Sequence, residues 1–156
     1  MATRSTIALE FADGTVQQIY CHWDGYLDNN GQLLLKHYTD PFKVRDLIDL
    51  GDLSSLKPEI GEKHAFSQFE LPKEEVEAYT KLTENWCTFY GRDRGETGTG
   101  AKKFKDFADY VKNHQYEEYE YILRTDGKWR VHYHGTESEY LFLEVVAYVD
   151  NMMEAA

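Results

Sequence analysis

Polar and apolar positions alternate from Thr6 to Phe11, with Ile7, Leu9 and Phe11 set against Thr6, Ala8 and Glu10. A second run, Val16 to Trp23, follows Asp13-Gly14-Thr15. Period two is the signature of a strand, and Asp-Gly between two such runs predicts a hairpin. A three-residue loop with its glycine in the left-handed region pairs Leu9 with Ile19 and Ile7 with Cys21. That register gathers Ile7, Leu9, Phe11, Ile19 and Cys21 on one face and Thr6, Glu10, Gln18, Tyr20 and His22 on the other. A slip of one residue inverts every side chain, so the cleaner separation is expected.

The same pattern recurs near the other end. Tyr119 to Arg124 leads through Thr125-Asp126-Gly127 into Lys128 to His134. Tyr119, Tyr121, Leu123, Trp129, Val131 and Tyr133 share one side, and Glu118, Glu120, Arg130, His132 and His134 the other. Glu120 then faces His132 and Glu118 faces His134, both favourable cross-strand pairs.

Between the hairpins the period changes to that of helices. Asp40-Pro41 is a capping residue followed by proline at the first helical position, with Val44, Leu47 and Ile48 as the stripe and Gly51 as the stop. Gly31 to Tyr38 reads as a short helix, and Pro72 opens another with Val76, Tyr79 and Leu82 on one side. Phe104, Phe107, Ala108 and Val111 fit a helix over Ala101 to His114. Thr136-x-x-Glu139 predicts a capping box for a last helix, and Trp86 to Tyr90 reads as a central strand. The expected fold is α+β in a single domain over residues 1–156, an antiparallel sheet built from two Asp-Gly hairpins with helices on one face.

Composition narrows the function. The chain has 156 residues, 42% of them hydrophobic and 15% aromatic, enough for one core. Its formal charge is −11, from 28 acidic and 17 basic residues spread along the length. Such a surface repels a phosphate backbone and argues against direct nucleic-acid binding. It favours a partner with a basic surface. The sequence shows neither a secretory leader nor an apolar run of membrane-spanning length, and its cysteines are Cys21 and Cys87. A cytoplasmic location with reduced thiols is expected.

Candidate chemistry is sparse, and no cofactor motif is present. Cys21 and His22 are adjacent, but neighbours on a strand point to opposite faces, and the register buries Cys21. The segment is read first as structural, Asp24-Gly25 making a turn that Trp23 and Tyr26 anchor; His22 and Asp24, on one side if the strand continues, are a candidate ligand-contact pair. His132 and His134 share a face at a spacing that suits zinc. Only His22 offers a third ligand, so a solvated face is favoured and no metal is expected. Gly95 and Gly100 have the separation of a phosphate-binding P-loop, but Ala101 and then Lys102 follow, without the hydroxyl residue after the lysine. The glycine-rich loop still offers backbone N–H groups beside Arg92, Arg94, Lys102 and Lys103, the most basic cluster of the chain. A phosphate-bearing small molecule is the ligand expected there. On the Pro72 helix, Glu74, Glu75, Glu77 and Glu84 are candidate contacts for a basic partner.

Four stretches carry a resemblance: Thr3-Arg4-Ser5-Thr6-Ile7, Ile19 to Tyr26, Leu47 to Leu56, and Tyr90 to Glu96. In these the chain resembles a family of small proteins encoded by bacteriophages and prophages. The resemblance implies an accessory protein of a mobile element, and it lends no catalytic residues. Small acidic domains in that setting often block a host defence or nucleic-acid-handling protein. The leading expectation is therefore a binding protein rather than an enzyme, acting on a host protein in the host cytoplasm. The alternative is a protein that sequesters or hydrolyses a nucleotide-like or phosphorylated compound at the Arg92–Lys103 loop.

Overall fold

The computed structural model describes residues 2–133 and the strand at 143–144. Both hairpins are present. The first joins β1 (Ser5–Glu10) to β2 (Val16–Cys21). Gly14 takes the left-handed conformation at φ 92°, but the loop is Ala12-Asp13-Gly14, closed by the Phe11 N–H donating to Thr15 O at 2.8 Å. Ile7 therefore faces Ile19, and Ser5 faces Cys21, two residues from the expected register. The Asp13 carboxylate accepts from the Thr15 N–H and hydroxyl at 2.9 and 2.7 Å, which fixes Thr15 as a strand residue instead of a loop residue. A shift of two leaves each side chain on its own face. Ile7, Leu9, Ile19 and Cys21 accordingly enter one core, with Phe11 packed against it.

The second hairpin, β6 (Tyr119–Leu123) and β7 (Trp129–Tyr133), has the expected register, with Glu120 opposite His132. His134, and with it the Glu118–His134 pair, lies outside the described residues, as does the helix expected from Thr136. β8 (Leu143–Glu144) adds to β7.

The join between the hairpins departs from expectation. β1 lies parallel to β6, with Ser5 beside Tyr119 and Leu9 beside Leu123. The α+β sheet is thus mixed. With β3 (Leu53–Ser55), β4 (Thr88–Phe89) and β5 (Lys102–Phe104), its order is β4-β3-β2-β1-β6-β7-β8, and β5 also pairs with β2. Helices lie on both faces. α1 (Gln32–His37) and α2 (Pro41–Asp49) bring Leu34, Val44, Leu47 and Ile48 to the main core. The Asp40 carboxylate caps α2 by accepting from the Phe42 N–H at 2.9 Å. Tyr121, Leu123, Trp129 and Val131 complete this core, each fully buried side chain of this size being worth roughly 1.5–3 kcal/mol. The opposite face, read from sequence as polar, holds Ala8, Val16 and Ile122, and these receive Phe104 and Tyr110 as a second core.

Phe104 reaches that second core from a strand. Ala101 to His114 is not one helix: β5 (Lys102–Phe104) pairs antiparallel with Val16–Gln18, and α5 (Phe107–Asn113) follows. Asp106 caps α5 by accepting from the Asp109 N–H at 2.8 Å. The helical spacing of Phe104 and Phe107 is met by a strand end and a helix start that bury both rings on one cluster. Trp86 to Tyr90 is also corrected. Only Thr88–Phe89 is strand (β4), and it forms an edge beside β3 (Leu53–Ser55) rather than a central strand. α3 (Val76–Thr83) follows a single 3-10 turn at Lys73–Glu75, and α4 (Tyr90–Arg94) follows β4 directly. Among the described residues, no helix is long and apolar enough to cross a membrane.

Candidate functional site

The stretches Thr3–Ile7, Ile19–Tyr26, Leu47–Leu56 and Tyr90–Glu96 are contiguous in space. β1 pairs with β2, β2 with β3, β3 with β4, and α4 continues from β4. Alternation decides which of their side chains meet. Cys21 and Leu53 face each other in the main core, so Tyr20, His22, Asp52 and Ser54 point to the opposite side.

Asp52 organises this surface. Its Oδ1 accepts the Tyr20 N–H at 2.9 Å, and its own N–H donates to Thr99 O at 2.8 Å. Gly51 makes that approach possible. It sits at φ 85°, and a Cβ there would collide with the Thr99 carbonyl. The glycine-rich loop 95–100 is thereby laid against Asp52. Burial pushes the Asp52 carboxyl above the usual aspartate range, and Glu96 adds to this while Lys102 opposes it. The Tyr20 hydroxyl lies 2.7 Å from His22 Nδ1, and burial raises the phenol to about 12. Tyr90 is likewise raised by burial, against the influence of Ser54 and Arg94.

Arg94 stands at the edge. Its guanidinium lies 4.4 Å from the Phe66 ring centre and 5.0 Å from that of Tyr90, and its Nε donates to Glu96 at 2.6 Å. Lys102 donates to Gln115 Oε1 at 2.9 Å. Beyond His22, the exposed Trp23 packs edge-on against that imidazole at 4.7 Å between ring centres.

No protein-family model, curated protein or solved structure matches the chain.

The residues expected to bind a ligand separate into two groups. His22, Arg94 and Lys102 lie on or beside the Tyr20–Asp52 surface. Arg92 belongs to the interior: its donors go to Asp93, Ile60 O, Gly61 O and Cys87 O at 2.9–3.2 Å. It is structural because Asp93 is buried and needs a counter-charge. Asp24 serves the turn through its backbone, at φ 56°, with its carbonyl accepting from Asn29 Nδ2 and the Asn30 N–H. Lys103 follows Lys102 on β5 and so points to the other side.

Cys21 is fully buried, its thiol raised to about 12 by burial, which leaves no thiolate for catalysis at neutral pH. Among the described residues, no group of three or more His, Cys, Asp or Glu side chains has the arrangement to hold a metal ion. His132 instead meets the buried Glu120 carboxylate at 2.6 Å, and His114 approaches the same oxygen at 3.3 Å. Glu74, Glu75, Glu77 and Glu84 are all exposed on and around α3, with Glu77 paired to Lys81 at 3.8 Å.

Tyr20, Asp52, Ser54 and Tyr90 were missed from sequence. The alternation that places Tyr20 beside His22 was available; the approach of Asp52 required knowing that β3 lies next to β2. A cleft of about 370 Å³ lined by Leu9, Pro41, Leu123 and Arg124 opens at the opposite, turn end of β1. Its Arg124 donates to Glu10, at 3.0 and 3.2 Å.

Proposed function

We propose that the chain binds a small phosphate-bearing compound on the surface formed by Tyr20, His22, Asp52, Tyr90, Arg94 and Lys102. The observation that carries the reading is the seating of the 95–100 loop on Asp52. It gathers a hydrogen-bonded Tyr–His pair, a carboxyl displaced from its ordinary range and two cations around one patch. Clustered groups with shifted protonation are characteristic of binding and catalytic sites. The cations supply the charge-assisted bonds a phosphoryl group requires, and the loop supplies backbone N–H groups. Titration calorimetry with ribose 5-phosphate tests this. Binding is expected, and Arg94→Ala with Lys102→Ala should weaken it roughly tenfold or more. Unchanged affinity in that double variant of intact fold overturns the reading.

A second reading rests on a different observation. The 3-10 turns and helix between Gln68 and Thr83 carry Phe69, 89% exposed, and the exposed Glu74, Glu75 and Glu77. An exposed aromatic with acidic neighbours suits a basic protein partner. In the mobile-element setting implied by the resemblance, that partner is a nucleic-acid-handling host protein that the chain blocks. Pull-down from host lysate at low and high salt tests it. Exchange of Glu74, Glu75 and Glu77 for lysine should release the partner; retention in that variant removes the reading.

A further inference from the structure

The segment next to the Tyr20–Asp52 surface is exposed, while its backbone is held in place. Trp23 is 43% exposed and Tyr26 37%. Their backbone is nonetheless fixed on several sides. The Trp23 N–H donates to Ser54 O at 3.0 Å, the Gly25 N–H donates to Thr3 O at 2.8 Å, and the Tyr121 hydroxyl donates to Gly25 O at 2.7 Å. A Cβ on Gly25 would strike Ser5 and the Thr3 carbonyl, so the close contact itself depends on glycine. The His22 ring packs edge-on against the indole, at 86°. The indole is a flat, exposed apolar surface on a fixed backbone, which lowers the ordering cost of binding.

A polar pair lies beside it: the Tyr20 hydroxyl and His22 Nδ1 share a hydrogen bond at 2.7 Å, and the His22 ring borders the indole. Contacts connect this segment to Arg94. Ser54, which holds the Trp23 backbone, also acts on the Tyr90 hydroxyl, and Arg94 lies over the Tyr90 ring.

We infer that the ligand is a nucleotide, its base stacked on Trp23 and its phosphate at Arg94 and Lys102. The inference rests on the phosphate-binding reading above and adds the aromatic half of the ligand. Sugar phosphates and inorganic phosphate have nothing to place on the indole. Stacking of a base on an aromatic side chain is sequence-tolerant, so several bases are accommodated.

The test compares adenosine monophosphate with ribose 5-phosphate by titration calorimetry, together with quenching of tryptophan fluorescence. Trp129 is buried and Trp86 half-buried, so quenching reports mainly on Trp23. Adenosine monophosphate is expected to bind at least about fivefold more tightly than ribose 5-phosphate. Trp23→Ala should make the two equal, while Trp23→Phe keeps the preference. Equal binding of the two compounds by the unaltered protein overturns the nucleotide assignment and leaves the phosphate reading standing. Absence of binding by both overturns the two together. A preference for adenosine monophosphate that survives Trp23→Ala places the base elsewhere and also overturns the inference.

Discussion

Arg92 and Asp93, adjacent in sequence, form a two-point ion pair, Nε to Oδ1 at 2.9 Å and Nη2 to Oδ2 at 3.1 Å. The Asp93 side chain is wholly buried. It also accepts the Phe89 N–H at 2.8 Å and the His64 N–H at 3.1 Å, so it fastens the residues around His64 to the β4–α4 junction. The remaining guanidinium donors reach the carbonyls of Ile60, Gly61 and Cys87. Removing one partner of such a pair leaves an uncompensated buried charge, at a cost of about 3–5 kcal/mol. Arg92→Ala and Asp93→Ala should each lower the midpoint of denaturant unfolding accordingly. A small shift for both would show that the pair is solvated in solution.

Gly51→Ala is expected to damage the site through the backbone. A non-glycine residue at φ 85° is strained by roughly 1–2 kcal/mol, and the added methyl group meets the Thr99 carbonyl. The 95–100 loop must then lift from Asp52. Ligand affinity should fall by more than the loss of stability accounts for, which parallel titration and thermal unfolding will separate.

Two of the shifted carboxyls, Asp52 and Glu10, respond to pH with opposite sign. Asp52 is raised, chiefly by burial, so the folded state binds its proton more tightly than the unfolded state. Stability from this group is greatest below the ordinary aspartate value of 3.8 and falls as pH rises through the window above it. Asp52→Asn, whose amide oxygen still accepts from Tyr20, should therefore gain stability relative to wild type as pH rises through that window.

Glu10 is the reverse case. Burial raises it, but the Arg124 guanidinium and the Thr125 backbone N–H together hold its carboxyl below 4.5. Its contribution is present above the unfolded value and is lost as pH falls through the folded one. Glu10→Gln should cost about 1.5–3 kcal/mol at neutral pH, with the difference shrinking on acidification. A difference independent of pH would point to packing alone.

Both thiols are buried and pushed upward by that burial, Cys21 to about 12. Alkylation by iodoacetamide at neutral pH should be negligible in the folded protein and rapid in denaturant. Fast labelling without denaturant would indicate local opening.

The hairpins were legible because their signals are local: alternation on both sides of Asp-Gly. Only the register of the first escaped, because Asp13 binds Thr15 and moves the loop back by one residue at its start and end. The parallel contact of β1 with β6 carries no local signature. Neither does the second core, in which Ala8, Val16 and Ile122 sit among polar neighbours. At the site, His22, Arg94 and Lys102 announced themselves by charge and by the glycine-rich loop. Arg92 announced itself equally, and nothing within the loop reveals that Asp93 is buried beneath it. Asp52 and Tyr90 became visible only when β3 was placed beside β2.

The parallel pairing of β1 with β6 also bears on how the chain is made. The first hairpin leaves the ribosome early, but the strand that covers its open edge begins at Tyr119. Throughout that interval β1 offers unpaired N–H and C=O groups along an apolar strand, the kind of edge that recruits other chains. Synthesis rate and early contact with chaperones should therefore govern the yield of soluble protein, more than the final stability does. Moving Ser5–Cys21 to follow β7 through a circular permutation would bring the two edges together within a short span of synthesis.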